Sequence, residues 1–223
     1  MIRPMSGGTA ANAIPEFDAG FRAKLADLVL WRRDVRKFRP DPLPAGSMDR
    51  LLRLACLAPS VGLSEPWRFV LVDDPAKRQR MRENFKAANA EALASYSGDR
   101  ATRYAALKLE GLEDAPVQLA AFADPDPEQG AKVGRRTMPE TVAYSVVTAI
   151  HTLWLAARAE GIGVGWVSIL DPAPVARDLE VPLHWQFIGY FCVGYPMEVA
   201  DTPELERANW QKRADPASFI FHR

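Results

Sequence analysis

The sequence predicts an α+β domain in which a small, mostly antiparallel sheet is surrounded by helices. Segments with helical spacing dominate the chain, short runs rich in β-branched and aromatic residues lie between them, and the Pro-rich joints that connect them are too short to be domain linkers. A chain of 223 residues is long enough to bury a core of its own. We therefore expect a flexible Gly/Ala/Pro-containing leader over residues 1–18 and a single domain over residues 19–223.

Four segments have the pattern of amphipathic helices. Residues 21–31 carry apolar side chains at helical spacing, and residues 47–57 place their apolar side chains on one face. We expect Ser47 to be the N-cap of the second helix, because a serine hydroxyl can accept a hydrogen bond from an amide of the first turn. The third and fourth predicted helices, residues 76–96 and 100–112, are rich in charged residues.

A fifth helix is predicted around the longest apolar run, residues 142–157. Thr137 and Glu140 have the spacing of a capping box, so we expect the helix to begin there. It should continue to about Glu160, because Gly161 is a typical residue just beyond a helix end. The run is too short and too polar to span a bilayer, so a buried position in the core is predicted.

The strands of the predicted sheet come from four short apolar runs: residues 68–72, 117–122, 166–170 and 187–193. The last stretch, residues 201–223, is apolar in places but has little helical periodicity. Two interpretations of this tail stay open: it wraps a partner subunit, or it folds back on its own core.

The charge balance excludes some classes of function. With 28 basic and 28 acidic residues the formal net charge is zero, which argues against a general nucleic-acid binder. No metal site is expected, because the histidines at 151, 184 and 222 lack ligand spacing to one another or to Cys, Asp or Glu. We expect no membrane partner and a cytoplasmic location.

Three segments could form one site. Residues 31–39 place five cations in a short run, and arginine forks suit a phosphate monoester. Residues 58–69 join a helix to a strand through small and turn-forming residues whose hydroxyls and amides could bind a ligand. Residues 163–169 contain two glycines where the backbone can come close to a bulky group. Taken singly, the first segment is better explained as a solvated helix end, the second as a turn and the third as a core strand.

In combination and in this order, the three segments resemble the flavin-binding framework of the nitroreductase superfamily. The matching motifs are RR-x-x-R-x-F at residues 32–38, A-P-S-x-x-x-x-x-P-W-R-F at residues 58–69 and G-x-G at residues 163–165. The resemblance covers residues 20–200 in outline. It implies a nitroreductase-like fold and a homodimer with intertwined termini that holds FMN between its two chains.

Departures from the common pattern narrow this resemblance. Common members carry a serine where this chain has Asp34, and they carry Asn-x-Gln-Pro-Trp where it has Leu-Ser-Glu-Pro-Trp at residues 63–67. Together with Ser168, these departures resemble the branch of the superfamily that fragments reduced FMN with O2. The products of that branch are D-erythrose 4-phosphate and 5,6-dimethylbenzimidazole, the lower axial ligand of cobalamin.

The resemblance also implies the site residues. It assigns catalysis to Asp34 and Ser168. A carboxylate beside an anionic reduced flavin is a like-charge contact, and its cost suggests proton transfer during C–C bond breakage and aromatisation. The alternative is that Asp34 only pairs with Arg33 or Arg36. The implied cofactor-binding residues are Arg32, Arg33, Asp34, Val35, Arg36, Ser60, Gly62, Leu109 and Ser168.

A lid over residues 83–112 would exclude water and leave little room for NAD(P)H. We therefore expect a separate flavin reductase to supply reduced FMN, with O2 as co-substrate. The runner-up function is an NAD(P)H-dependent FMN nitroreductase, and a third is a non-catalytic flavin-binding or storage protein. Cations at residues 212 and 213 could reach a phosphate across the dimer, or only solvent.

Overall fold

The computed structural model describes residues 14–223, so most of the predicted leader lies outside the described residues. The first helix begins at residue 19, and the side chain of Asp18 accepts a hydrogen bond from the amide of Phe21 as its N-cap. The division of the chain at residue 18 remains a prediction. The α-helices and strands of the described residues are α1 (Ala19–Trp31), α2 (Ser47–Ala55), β1 (Trp67–Leu71), α3 (Pro75–Ala94), α4 (Gly98–Ala105), β2 (Val117–Ala123), α5 (Thr141–Ala159), β3 (Gly163–Val167), α6 (Pro172–Asp178), β4 (Gln186–Gly194) and α7 (Glu204–Arg207).

The four strands form one antiparallel sheet in the order β1-β2-β4-β3, which confirms the predicted α+β class. Both faces of the sheet are covered. Along β2, Leu119 and Ala121 belong to one core cluster, whereas Ala120 and Phe122 belong to the other. Successive side chains of a strand point to opposite faces, so a central strand buried on both sides has a continuous apolar sequence.

Helices α5 and α2 cover one face, and α3, α6 and residues 107–112 cover the other. Within residues 14–223, α5 is the one helix that is long and apolar enough to cross a membrane by length and composition alone. Its side chains at Val146, Ile150 and Leu153 are fully buried against the sheet and α2. This packing is that of a core helix, as predicted.

Two predicted caps are wrong. Helix α2 begins after Gly46, which has the left-handed φ of 77°, and Ser47 is a buried first residue of the helix. Thr137 lies outside α5, whose N-cap is Glu140 without a side-chain capping bond. Both motifs have the spacing of a cap, but local tertiary packing decides where each helix begins. Gly161 follows the end of α5 with a φ of 74°, as expected.

Two predicted boundaries are also wrong, and both affect the site. The helix predicted over residues 100–112 ends at Ala105, so Leu109 lies in a non-helical segment. Strand β3 begins at Gly163 and ends at Val167, which places Ser168 just beyond it. Helix α6 is not among the five helices that the sequence predicts. Its signal is the Asp171-Pro172 pair, in which the aspartate accepts from the amide of Ala173 at 3.0 Å.

Candidate functional site at the edge of the sheet

Asp34 lies at the sheet edge, where it forms a parallel bridge with Val164 of β3. The amide of Val35 donates to the Val164 carbonyl at 3.1 Å, and Asp34 Oδ1 accepts from the amide of Trp166 at 2.8 Å. An edge strand exposes amides that need acceptors. The Asp34 carboxylate therefore takes the place that a carbonyl of a further strand would occupy, and the backbone fixes its position.

The second carboxylate oxygen of Asp34 is held by Arg36. The Arg36 Nε donates to Oδ2 at 2.8 Å, and its Nη1 donates to the carbonyl of Lys108 at 3.2 Å. The Arg36 side chain is 13% exposed and that of Asp34 is 32% exposed. The ion pair considered as the alternative explanation of Asp34 is thus present, and it orients a carboxylate that solvent can still reach. The catalytic role of Asp34 stays a prediction.

The glycines of β3 explain how Asp34 reaches this position. A Cβ at Gly165 would overlap the Val35 carbonyl oxygen, and one at Gly163 would lie 2.8 Å from the Val35 side chain. The predicted close approach is confirmed, and the neighbouring group is residues 34–35 of the chain itself. The first and third sequence segments therefore form one structural unit, in which residues 34–36 lie against β3. We call it the Asp34 unit.

A group of cations lies beside this unit. Burial lowers the pKa of the Arg32 guanidinium, and repulsion by Arg213 lowers it further, while Asp34 opposes the shift. Burial also lowers the pKa of Arg33, with repulsion by Arg213 and Arg32 adding to the effect. The Arg32 guanidinium stacks on the ring of Trp154 at 5.0 Å. Burial is thus the main cause of both lowered pKa values, and a phosphate group beside these guanidiniums would favour their charged forms.

Arg213 is the site residue that sequence reasoning left undecided. It comes from the tail of the same chain, and the tail is attached through Arg33, whose guanidinium donates to the carbonyls of Leu30, Arg32 and Asp201. The only sequence signal was the Lys-Arg pair at residues 212–213. Since Arg33 already binds backbone carbonyls, its predicted contact with the cofactor remains a prediction.

The remaining predicted residues form two pairs: Leu109 and Ser168, and Ser60 and Gly62. Leu109 packs against the core cluster on the second face of the sheet, and the carbonyl of the preceding Lys108 accepts from Arg36, the partner of Asp34. Ser168 is exposed and lies two residues beyond Trp166, whose amide binds Asp34. The structure therefore places both near Asp34, and their predicted roles remain untested.

Ser60 and Gly62 are not brought to Asp34 within one chain. They precede β1, and β1 and β3 are the opposite edges of the sheet, three strand spacings or about 14 Å apart. The Ser60 Oγ accepts from the amide of Glu65 at 3.1 Å. Gly62 has a φ of 57°, and a Cβ there would lie 2.6 Å from the Val133 carbonyl.

A cleft beside Asp34 has a volume of about 40 Å³. It is bounded by Arg36 and Lys37 on one side and by residues of the 198–207 segment on the other. Pockets for cofactor-sized ligands have volumes of about 300–1,000 Å³. Within the described residues, this cleft alone therefore does not enclose a flavin.

Comparison with known proteins identifies the family of this chain. The model of the nitroreductase family matches residues 29–195, which include all of the Asp34 unit and the Ser60 loop. The chain belongs to the nitroreductase family. The predicted family is thereby confirmed, as is the expectation that the chain is an enzyme.

Two relatives within the nitroreductase family are named 5,6-dimethylbenzimidazole synthase. The protein of Rhodospirillum rubrum is 56% identical over 89% of this chain and 94% of its own length. That of Rhodobacter capsulatus is 49% identical over 88% of this chain and 95% of its own length. Among solved structures, oxidised iodotyrosine deiodinase bound to FMN and 3-iodo-L-tyrosine has a TM-score of 0.66 at 23% identity, covering 79% of this chain and 91% of its own. That likeness supports the fold.

Proposed function

We propose that this enzyme catalyses the oxygen-dependent fragmentation of reduced FMN to 5,6-dimethylbenzimidazole and D-erythrose 4-phosphate, which supplies the lower ligand of cobalamin. The observation that carries the proposal is the Asp34 carboxylate, fixed between a backbone amide and Arg36 and placed beside a group of cations. The relatives at 56% and 49% identity that bear the name of this synthase support the same reaction.

The residues present fit FMN. Burial lowers the pKa of Arg32, and repulsion by Arg213 adds to that shift, so a phosphate dianion beside both guanidiniums would stabilise their charged forms. Arg36 would face the electron-rich end of the ring, while Val35 and Leu109 would supply apolar contacts. When bound, reduced FMN would supply the electrons that reduce O2 and the atoms of both products.

The two oxygens of Asp34 suit different tasks. Oδ1 accepts from the amide of Trp166, a bond that fixes the carboxylate in place. We assign proton uptake and return to Oδ2, because its partner is the Arg36 side chain and not a backbone amide. Ser168 has an exposed hydroxyl on the segment that leaves β3, where it can relay a proton.

The proposed site is completed by a second copy of the chain. Since Ser60 and Gly62 lie at the sheet edge opposite Asp34, a partner chain must supply them if all the predicted residues are to bind one flavin. The cleft of about 40 Å³ beside Asp34 agrees with a cofactor enclosed between chains rather than within one.

The exposed apolar surface supports this homodimer. None of the residues of α1 is buried, although this helix carries Phe21, Leu25 and Val29. Helix α1 packs beside α5, on which Tyr144 is 57% exposed and Val147 38% exposed. Large apolar side chains gathered on adjacent helices are typical of a protein interface. The tail adds exposed apolar residues at 219–221, in agreement with intertwined termini.

A lid would restrict access to the site. Tyr96 lies between α3 and α4, Tyr104 lies in the last turn of α4, and Trp210 of the tail packs against both rings with centroid separations of 5.7 and 6.1 Å. The tail thus bridges the proposed lid and the cation group that contains Arg213. A covered site favours entry of reduced FMN made by a separate flavin reductase over direct reaction with NAD(P)H. We place the reaction in the cytoplasm, where such reductases and FMN are available.

The reaction is tested by incubating the purified protein in air with FMN, NADH and a separate flavin reductase. We expect 5,6-dimethylbenzimidazole by mass spectrometry, with loss of flavin absorbance. Well-folded protein that leaves the flavin intact would overturn the proposal. NAD(P)H oxidation that depends on a nitroaromatic acceptor would then select a nitroreductase, and tight flavin binding without turnover would select a flavin-storage protein.

The dimer is tested separately with Val147→Glu, which places a charge on the exposed α5 face. Light scattering should show a dimer for the unchanged protein and a monomer for this variant, together with weaker FMN binding. Leu183→Glu is the matched control, because Leu183 is 73% exposed and lies outside α1, α5 and the tail. A monomeric unchanged protein that forms product would refute the two-chain site.

A further inference from the structure

Residues 107–112, which lead from α4 towards β2 and which we call the connecting segment, supply a hydrogen-bond acceptor to Arg36. The carbonyl of Lys108 accepts from Arg36 Nη1 at 3.2 Å, and Arg36 in turn donates to Asp34 Oδ2. The next residue, Leu109, is one of the predicted cofactor-binding residues. Whatever fixes the connecting segment therefore also fixes an acceptor of Arg36 and the place of Leu109.

The connecting segment also packs directly against the residues that follow Asp34. A Cβ at Gly111 would overlap the ring of Phe38 and would lie 3.5 Å from the carbonyl oxygen of Arg36. The Phe38 side chain is fully buried, so it has little room to move aside. Because the two segments touch without a side chain between them, a displacement of one is passed on to the other.

A buried polar pair attaches the connecting segment to the sheet. Gln118 of β2 and Tyr190 of β4 are both fully buried. The Gln118 Nε2 donates to the carbonyl of Leu112 at 2.8 Å, and its Oε1 accepts from the Tyr190 hydroxyl at 2.7 Å. Burial raises the pKa of Tyr190, so this hydroxyl stays protonated and remains a donor. The amide is thus bonded at both ends, with its NH2 group directed at the connecting segment.

The surroundings of Gln118 do not require an amide. It lies on the face of β2 that carries Ala120 and Phe122, beside the core cluster that contains Leu112. A buried amide costs free energy unless it is hydrogen-bonded, whereas an apolar side chain of similar size has no such requirement. What the amide adds is direction, since a hydrogen bond fixes the position of the Leu112 carbonyl more narrowly than apolar contact does.

We propose that Gln118 is a positioning residue for the reaction at Asp34. It fixes the connecting segment through the Leu112 carbonyl. The Lys108 carbonyl of that segment then orients the Arg36 guanidinium, which holds Asp34 Oδ2. Gln118 acts through these contacts and not on the flavin itself. This inference rests on the proposed function, because it gives the geometry of Asp34 a use in that reaction.

The test compares Gln118→Met with Tyr190→Phe. Methionine has the length of glutamine but no N–H donor, so the Leu112 carbonyl loses its partner. Tyr190→Phe is the matched control, because it removes a hydrogen bond of the same buried pair and keeps the bond to Leu112. Gln118→Met should lower the rate of 5,6-dimethylbenzimidazole formation at saturating reduced FMN about tenfold. Tyr190→Phe should keep that rate, although both variants should lower the Tm.

Proton exchange measured by NMR gives a readout that does not depend on activity. The Trp166 amide and the Arg36 Nε–H both donate to the carboxylate at position 34. The amide of Ile150, in the buried helix α5, reports global unfolding. Relative to that amide, both protons should exchange about tenfold faster in Gln118→Met and at an unchanged rate in Tyr190→Phe.

Glu110 provides a second pair of variants if Gln118→Met does not fold. Its carboxylate, which is 13% exposed, accepts from the amide of Leu112 and lies 3.3 Å from Lys108 Nζ. Both Glu110→Ala and Glu110→Gln lose the charge opposite Lys108, but only Glu110→Gln keeps an acceptor for Leu112. Glu110→Ala should therefore slow product formation and accelerate both exchange rates, and Glu110→Gln should restore them.

The outcomes separate this inference from the proposed function. Where Gln118→Met folds, effects equal to those of Tyr190→Phe would overturn the inference, as would an unchanged rate of product formation. Where it does not fold, equal effects of the two Glu110 variants would do so. If the unchanged protein forms no 5,6-dimethylbenzimidazole, the proposed function fails, and the exchange rates alone decide whether Gln118 positions Arg36.

Discussion

Replacing Asp34 by asparagine separates the structural use of this side chain from its proposed chemical use. Asparagine has the same shape, and its Oδ1 can still accept from the amide of Trp166, the bond of 2.8 Å that pairs the edge of β3. What it lacks is the negative charge opposite Arg36 and the ability to take up a proton. The Asp34→Asn variant should therefore fold with the same edge geometry and fail in catalysis.

The expected loss of stability is moderate. A hydrogen bond to a charged group contributes about 1.5–3 kcal/mol and a neutral one about 0.5–1.5 kcal/mol, so the bond to the Trp166 amide loses about 1 kcal/mol. With Oδ1 on that amide, asparagine turns its NH2 donor toward the Arg36 Nε donor, so the bond to Arg36 is lost at a cost of about 2 kcal/mol. The sum of about 3 kcal/mol corresponds to a decrease in Tm of about 6–12 °C for a chain of this length. The loss of proton transfer should lower the rate of product formation about 100-fold to 10,000-fold.

The assay follows 5,6-dimethylbenzimidazole over time in air with a separate flavin reductase, while FMN binding and Tm are measured on the same samples. Asp41→Asn is the matched control, because it removes an exposed carboxylate that is paired with Arg39 at 3.3 Å. The control should keep full product formation. Asp34→Asn with more than about a tenth of the unchanged rate would refute the assignment of proton transfer to this side chain.

Three further outcomes follow from the geometry. Arg213→Gln should weaken FMN binding about 10-fold to 100-fold and leave riboflavin binding unchanged, because only FMN carries the phosphate. Gly165→Ala should lower the free energy of unfolding by about 3 kcal/mol, measured by chemical denaturation, since its methyl group would overlap the carbonyl of Val35. The Arg50 hydrogen bond lowers the pKa of Glu160, so the stability that this pair contributes is present above the ordinary carboxyl pKa and is lost as pH falls through the lowered one. The difference in Tm between the unchanged protein and Glu160→Gln should therefore shrink between pH 7 and pH 3.

The first two of these outcomes have a control variant, and each of the three has a result that would contradict it. Arg53→Gln removes a charge from α2, away from the cation group, and should not change FMN binding. Gly161→Ala places a methyl group where no atom lies within 4 Å, so its only cost is the left-handed φ of 74°, about 1 kcal/mol. Equal destabilisation by the two glycine variants, equal weakening of FMN and riboflavin by Arg213→Gln, or a Tm difference that is constant with pH would each contradict the corresponding argument.

The sheet and the core helix could be predicted from the sequence because their signals are local. The run at β2 is apolar on both faces, and α5 ends at a glycine in the left-handed conformation. The caps could not be predicted from residue type alone. Ser47 and Thr137 are both suitable N-cap residues, but the N-cap of α2 is Gly46 and that of α5 is Glu140. Similarly, β3 begins at Gly163 because residues 34–35 pair with its edge, a contact between distant parts of the chain.

The residues of the candidate site could be proposed from the sequence, but the contacts among them could not. Taken singly, the cations, Asp34 and the glycines have ordinary structural explanations, and they could be selected only because the three segments together resemble the nitroreductase framework. Nothing local indicates that Asp34 binds the amide of Trp166, or that Arg213 approaches Arg32. The position of Ser60 at the opposite edge is likewise a property of strand order, which sequence spacing does not determine.

The structure uses both oxygens of Asp34 as acceptors. The amide of Trp166 needs an oxygen, which an asparagine or a serine could also supply. The Arg36 side chain is 13% exposed and its Nε donates to Asp34 Oδ2 at 2.8 Å, so this mostly buried cation is stabilised by the charge of the acid. We propose proton transfer as a second use of the same carboxylate. Asp34→Asn removes that chemistry while keeping the acceptor for the Trp166 amide, and the Tm of the variant reports how much the ion pair contributes.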